Sequence, residues 1–203
     1  MVNDINNVIA VGLLVKKERN ADNADIQRPI LDFEIVISSN NPENETDIIF
    51  EEIPALLSNN ALARSSMGYY VGDIFIIVGT IHNDDKRCTY PKKEHYIEVD
   101  NLIKIYERKK SKTKHQNLLE ARVDLIKYSK ALNRTIIQGT VICNDTGFVE
   151  IKINRSNYTR GDLVNEDRIL VLTDNPYKIG TTIMCIGQIC SSYMKPSTII
   201  ICN

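Results

Sequence analysis

Ten short apolar runs, each bounded by polar turn residues, constrain this chain more than any other feature. The first five are Val8–Val15, Ile30–Ile37, Asp47–Ile53, Asp73–Ile81 and Tyr96–Ile105. After a polar interruption come Thr135–Ile142, Phe148–Ile153, Arg168–Leu172, Thr181–Ile189 and Thr198–Ile201. Runs of this length read as strands. Composition agrees: the chain holds 30 Ile against 9 Gly and 6 Pro, and a β-branched side chain, stiff at χ1, favours a strand over a helix.

The two sets repeat one design. VGDIFIIVGTIHN (71–83) aligns with IGTTIMCIGQICS (179–191), placing Gly72 on Gly180, Gly79 on Gly187 and Ile81 on Ile189. NNVIAVGLLV (6–15) aligns with NRTIIQGTVI (133–142), placing Asn6 on Asn133 and Gly12 on Gly139. A glycine inside an apolar strand marks a bulge or sharp bend, as a small closed barrel needs where one strand serves both sheets. The expectation is a mainly β protein of two tandem five-stranded barrels. A short helix is expected over PALLSNNALARSSM (54–67), with no counterpart in the second set. The interruption reads as a basic linker, ERKKSKTKHQ (107–116), and a connecting amphipathic helix over 117–132. Domain boundaries are expected at 1–106, 107–131 and 132–203.

Charge sharpens this division. The net charge of −1 resolves into −7 over residues 1–106, +5 over 107–131 and +1 over 132–203. That balance excludes a uniformly basic coat protein and a simple polycationic membrane binder. The N-terminus lacks the pattern of a signal peptide, and no stretch approaches the ~20 apolar residues of a membrane span, so the expected location is cytoplasmic. Five Cys (88, 143, 185, 190, 202) form no CxxC pair and read as small hydrophobes in a reducing compartment. His82, His95 and His115 have no zinc spacing, so no metal or other cofactor is expected. With no phosphate loop and no nucleophile beside a base, an enzyme is not expected either. Glu51-Glu52 and Asp84-Asp85 read as solubilising surface pairs.

The opening NNVIAVGLLVKK, the strands FEIVISS and TDIIF, VGDIFIIVGTIHN, the polar hairpin tip and the closing HYIEVDNLIKI together resemble the bacterial single-stranded DNA-binding protein (SSB) family. The resemblance covers about residues 5–106; the second half is similar more weakly, through its glycines and strand order. It implies two tandem OB-fold barrels, single-stranded DNA as the ligand, and a homodimer presenting four OB domains, with replication or repair proteins as possible partners. The chain departs from the family in having no Trp: Ile48 and Phe50 stand where the third strand often carries one. It also ends inside an expected strand, STIIICN, so recruitment through the family's acidic C-terminal tail is not expected.

Single-strand binding needs aromatic faces for bases and cations for phosphates. In the first half the candidates are Lys16, Lys17, Arg19 and Phe50, with Lys86, Arg87, Tyr90, Lys92, Lys93 and Tyr96 on the β4–β5 tip, HNDDKRCTYPKKEHY. That tip interleaves cations with tyrosines and, in an OB fold, closes over the ligand groove. Lys109 and Lys110 of the linker add charge. The second half offers Arg155, Tyr158, Arg160, Tyr177 and Lys178, and less directly Lys152, Tyr193 and Lys195. Phe33 and Phe75 are assigned to the core. The leading expectation is a non-catalytic single-stranded DNA-binding protein of replication, recombination or repair. The alternative is an OB-fold replisome or primosome accessory protein working mainly through protein contacts.

Overall fold

A computed structural model describes residues 4–19, 29–38, 48–57, 60–83, 95–109, 113–155 and 165–202. The strands are β1 (Asn6–Arg19), β2 (Pro29–Ser38), β3 (Ile48–Leu57), β4 (Ile74–Asn83) and β5 (His95–Tyr106), then β6 (Arg134–Asp145), β7 (Phe148–Arg155), β8 (Asn165–Leu172), β9 (Thr182–Ile189) and β10 (Met194–Cys202). Two helices accompany them, α1 (Asn60–Ser65) and α2 (Lys114–Leu132), with a 3-10 turn at Ser66–Gly68.

Pairing closes each set of five into a ring. In the first, β1 pairs with β2, β2 with β3, β3 with β5 in parallel, β5 with β4, and β4 returns to β1. The second follows the same order through β6, β7, β8, β10 and β9, its parallel contact being Met194 opposite Val171. The rings are also fused: β1 pairs antiparallel with β6 from Asn6–Ile137 to Ile9–Arg134, so all ten strands form one continuous sheet.

The matched glycines occupy equivalent places. Gly12 faces both Ile35 of β2 and Phe75 of β4, where a Cβ would sit 2.9 Å from the Phe33 Cβ. The expected irregularity lies two residues further on, between Leu14 and Lys16, and again two residues after Gly139, between Val141 and Cys143. Gly79 and Gly187 sit where the β4–β5 and β9–β10 registers shift.

Inward-facing residues alternate along each strand and build one contiguous buried cluster running from Val8 and Phe33 in the first ring to Ile183 and Met194 in the second. Phe33 and Phe75 lie in it as expected, edge to face at 5.8 Å. A second cluster lies outside the first ring, where α2 covers Val11, Leu13, Val36 and Ile74 with Ala121 and Leu125. The helix starts three residues earlier than the sequence suggests, because Thr113 and Gln116 form a capping box that satisfies its first donors. Arg122 ties it down, donating to Glu34 from Nε at 2.8 Å and Nη2 at 2.5 Å.

The expected helix over 54–67 is shorter. Residues 54–57 stay in β3, because Pro54, Ala55 and Leu56 face Asp32, Leu31 and Ile30 of β2, and Ala55 also opens the parallel contact with Ile97. Only α1 and the 3-10 turn remain helical.

Polar contacts lock the rings together. Asp167, buried on β8, accepts from the Asn83 backbone N at 3.0 Å through Oδ1, and its Oδ2 lies 2.9 Å from His82 Nδ1. Arg168 N donates to Asn83 Oδ1 at 2.9 Å. Glu51 accepts from Ser191 N at 2.8 Å, so it is a structural tie and not the solubilising charge expected of it. No helix among the described residues is long and apolar enough to cross a membrane.

Candidate nucleic-acid interface

Of the candidates on the first ring, Lys16 is exposed, whereas Lys17 is half-buried and donates from Nζ to Ser66 O at 2.5 Å. Phe50 is not open for stacking. Its ring packs on the α2-facing cluster, with the Arg122 guanidinium 5.5 Å from its centroid. Tyr96 is corrected as well: it is 7% exposed and its ring tilts against His82 at 5.5 Å. Both sit on strands at positions that alternation leaves outward, but α2 covers one and the other packs against His82 of β4.

Lys109 is exposed and lies 3.7 Å from Glu120. Lys86, Arg87, Tyr90, Lys92, Lys93, Lys110, Tyr158 and Arg160, with the side chains of Arg19 and Arg155, fall outside the described residues. So do Asp84-Asp85 and Cys88. On the second ring, Lys178 is exposed and Tyr177 packs half-buried on the core. Lys152 pairs with Glu166 at 3.0 Å. Burial, then a hydrogen bond with Cys190, pushes the Tyr193 phenol up to about 12, and burial lowers Lys195. Of the described cysteines, Cys185 and Cys190 are buried as expected, Cys143 is exposed and Cys202 half-buried. No group of His, Cys, Asp and Glu among the described residues is arranged to hold a metal ion.

Lys17 and Lys109 lie at the end of the first ring where β4 begins. The roots of the β4–β5 tip, Asn83 and His95, lie at the other end of β4, about 30 Å away for a ten-residue strand.

Sequence reading missed residues at the first of these ends. Lys104 reaches Asp73 Oδ2 at 2.8 Å and Gly68 O at 3.2 Å, with its Nζ 5.7 Å from the Tyr69 ring centroid. Burial pushes the Tyr69 phenol up, and the Lys104 ammonium opposes that shift. A signal was present: the offset that aligns Gly72 with Gly180 also sets Tyr69 and Tyr70 on Tyr177 and Lys178, which were already candidates. The two turns fold alike. Gly72 N donates to Leu14 O at 2.9 Å and Gly180 N to Val141 O at 2.8 Å, with φ of 101° and 90° at the two glycines. Positive φ at both positions is what glycine alone adopts without strain.

No family model and no curated protein sequence matches the chain. Among solved structures it is similar to the wild-type single-stranded DNA-binding protein of Thermus aquaticus, with a TM-score of 0.65, 10% identity, and coverage of 100% of this chain and 95% of that one. A deletion mutant of the same Thermus aquaticus protein matches with a TM-score of 0.62, 9% identity, and coverage of 100% and 97%. The likeness is one of fold, and it spans both rings.

Proposed function

We propose that the chain is a single-stranded DNA-binding protein of replication, recombination or repair, built as two tandem OB barrels over 1–106 and 132–203. The observation that carries the reading is the doubled five-strand ring, in one strand order, with the same end-to-end architecture as the Thermus aquaticus protein. Strand phosphates would meet Lys16, Lys17, Arg19, Lys109, Lys110 and Lys178. The β4–β5 tip (Lys86, Arg87, Tyr90, Lys92, Lys93) and the Arg155-Tyr158-Arg160 turn would supply cations with interleaved tyrosines. Anisotropy titration of labelled oligo-dT against duplex of equal length tests it. Oligo-dT should bind more tightly than duplex, and its affinity should fall linearly in log–log form with salt. Absence of oligo-dT binding at low salt with excess protein refutes the reading.

One observation favours a protein contact in addition. The outward face of the fused sheet carries a diagonal apolar band across six strands, starting at the edge of the cluster that α2 covers. It runs from Ile103 and Ile76 through Val78 and Ile9 to Ile136, Ile186, Met184 and Ile200, by the pairings of β5, β4, β1, β6, β9 and β10. Ile9, Ile103 and Ile200 are each more than two-fifths exposed. The band passes through the antiparallel β1–β6 junction, where exposed Arg134 stands opposite Ile9 as its one cation among the described residues, and an exposed apolar face of this kind suits a second copy of the chain. We assign it to a homodimer of four OB domains acting in the cytoplasm; the accessory-protein reading would place a replication protein there instead. Sedimentation should give a dimer, and Ile9→Lys should shift it toward monomer. A monomeric parent refutes the assignment.

A further inference from the structure

Where β4 and α2 begin, the first ring carries a built stack that the reading above leaves unused. Tyr70 is 43% exposed, and the Arg108 guanidinium lies 4.4 Å from its ring centroid. Buried Asp73 anchors both partners by their backbones, accepting from Tyr70 N and from Arg108 N, each at 3.0 Å. Gly72 leaves the room: a Cβ there would press on the Arg108 Cβ at 3.3 Å.

Arg108 is held by this stack and not by a carboxylate. Among the described residues it makes no ion pair, and its Nε is buried without a hydrogen-bond partner. Arg64, on α1 just ahead, is exposed, and its Nε lies 3.4 Å from Asn60 O. Lys17 and Lys104 also reach carbonyls of the 66–68 turn. In a half of the chain whose net charge is −7, this end gathers cations around a planar aromatic–guanidinium pair. Arg over an aromatic ring presents a flat, weakly hydrated cation on which a base can stack.

We propose that this end of the first ring is a separate contact for single-stranded nucleic acid, in which a base extends the Tyr70–Arg108 stack and the flanking phosphates meet Arg64 and Arg108. It rests on the single-strand reading above and adds a segment of path about one strand length from the β4–β5 tip. The second ring builds the same turn with Lys178 in the place of Tyr70: Thr181 N donates to Lys178 O at 3.0 Å as Asp73 N does to Tyr70 O. The equivalent end therefore offers a phosphate contact without a platform for a base, and the two rings contribute unequally.

The test uses the full chain and labelled oligo-dT. Parent binding tests the single-strand reading, and the variants test this contact. Tyr70→Ala should weaken oligo-dT binding about fivefold or more, the low end of one stacked base, and leave the salt slope unchanged. Arg64→Ala should reduce the slope by about 0.7, one phosphate contact on a single strand. Tyr70→Phe should keep the affinity. Because the chain has nine Tyr and no Trp, intrinsic emission reports on tyrosine directly, and Tyr70→Phe should remove part of the quenching caused by oligo-dT. Thermal melts of each variant separate a lost contact from a lost fold. A Tyr70→Ala protein that melts and binds like the parent overturns the contact while leaving the single-strand reading standing. Equal competition by poly-glutamate overturns it too, since an acidic peptide offers charge and no base. A parent that fails to bind oligo-dT overturns both.

Discussion

Replacing Gly79 by alanine puts a methyl carbon 2.1 Å from Glu98 O, 3.0 Å from Glu98 C and 3.1 Å from Val99 Cα. All three are backbone atoms of the paired strand, so no rotamer change relieves the overlap; β4 and β5 must separate at their bulge. Overpacking of this kind costs about 1–3 kcal/mol, and the rigid neighbours argue for the upper half of that range. A chain of this size loses about 2–4 °C of Tm per kcal/mol, so Gly79→Ala should melt some 4–12 °C below the parent by circular dichroism. Gly187 is its counterpart in the second ring, with a Cβ placed 2.1 Å from Lys195 O and 2.6 Å from Pro196 Cα, and Gly187→Ala should cost a similar amount. Gly68→Ala is the control: nothing lies within 4 Å of its Cβ, and alanine narrows the unfolded ensemble, so its Tm should be unchanged or slightly higher. A Gly79→Ala protein melting within 2 °C of the parent would refute the close approach of these strands.

Three further outcomes follow from the packing. Arg122→Met leaves Glu34, with a side chain 8% exposed, without its bidentate partner. Arg122 is itself two-fifths exposed, so the cost should be limited to about 1–3 kcal/mol in urea unfolding, and adding Glu34→Gln should recover part of it. Burial pushes the Cys185 and Cys190 thiols up to about 12. At pH 8 a thiol reagent should therefore label Cys143 and Cys202 in the native protein and spare these two until it is denatured. Because the unfolded chain releases those protons from about pH 9, both thiols favour the native state below that pH and lose their contribution as pH rises toward 12; equilibrium unfolding at pH 8 and pH 10.5 should show the fall. Asp167→Ala removes the acceptor for Asn83 N and the partner of His82, so amide exchange at Asn83 should accelerate more than at Leu13 or Phe75. Equal protection in parent and variant would show that the contact does not hold the rings.

The number and order of the strands were legible because a strand pairs two faces with a period of two, and the Ile-rich runs repeat that period between polar turns. The repeat located Gly79, Gly139 and Gly187, where close backbone approach leaves no room for a Cβ, and Gly12, where the side chains of Ile77 and Phe33 fill that space. The end of β3 was not legible: PALL has helix-forming residues, and only its neighbours in β2 and β5 keep it extended. Thr113 could have been read as a cap from its spacing to Gln116.

The candidate interface was legible only in part, and for one physical reason. Alternation decides which residues leave the inside of a ring; it does not decide what lands on the outside. Val11, Leu13 and Ile74 point outward and are buried because α2 covers them, while Ile9 and Ile103 on the same face stay exposed. Phe50 and Tyr96 looked like stacking residues by type, and packing took them away. Tyr70 and Arg108, 38 positions apart in the chain, became a pair only when Asp73 fixed the end of β5 beside the turn into β4. The strands, their repetition and a set of candidate cations and aromatic residues were legible in the sequence. Tertiary structure alone decided which of them remain on the surface, because burial of an outward face depends on contacts between segments far apart in the chain.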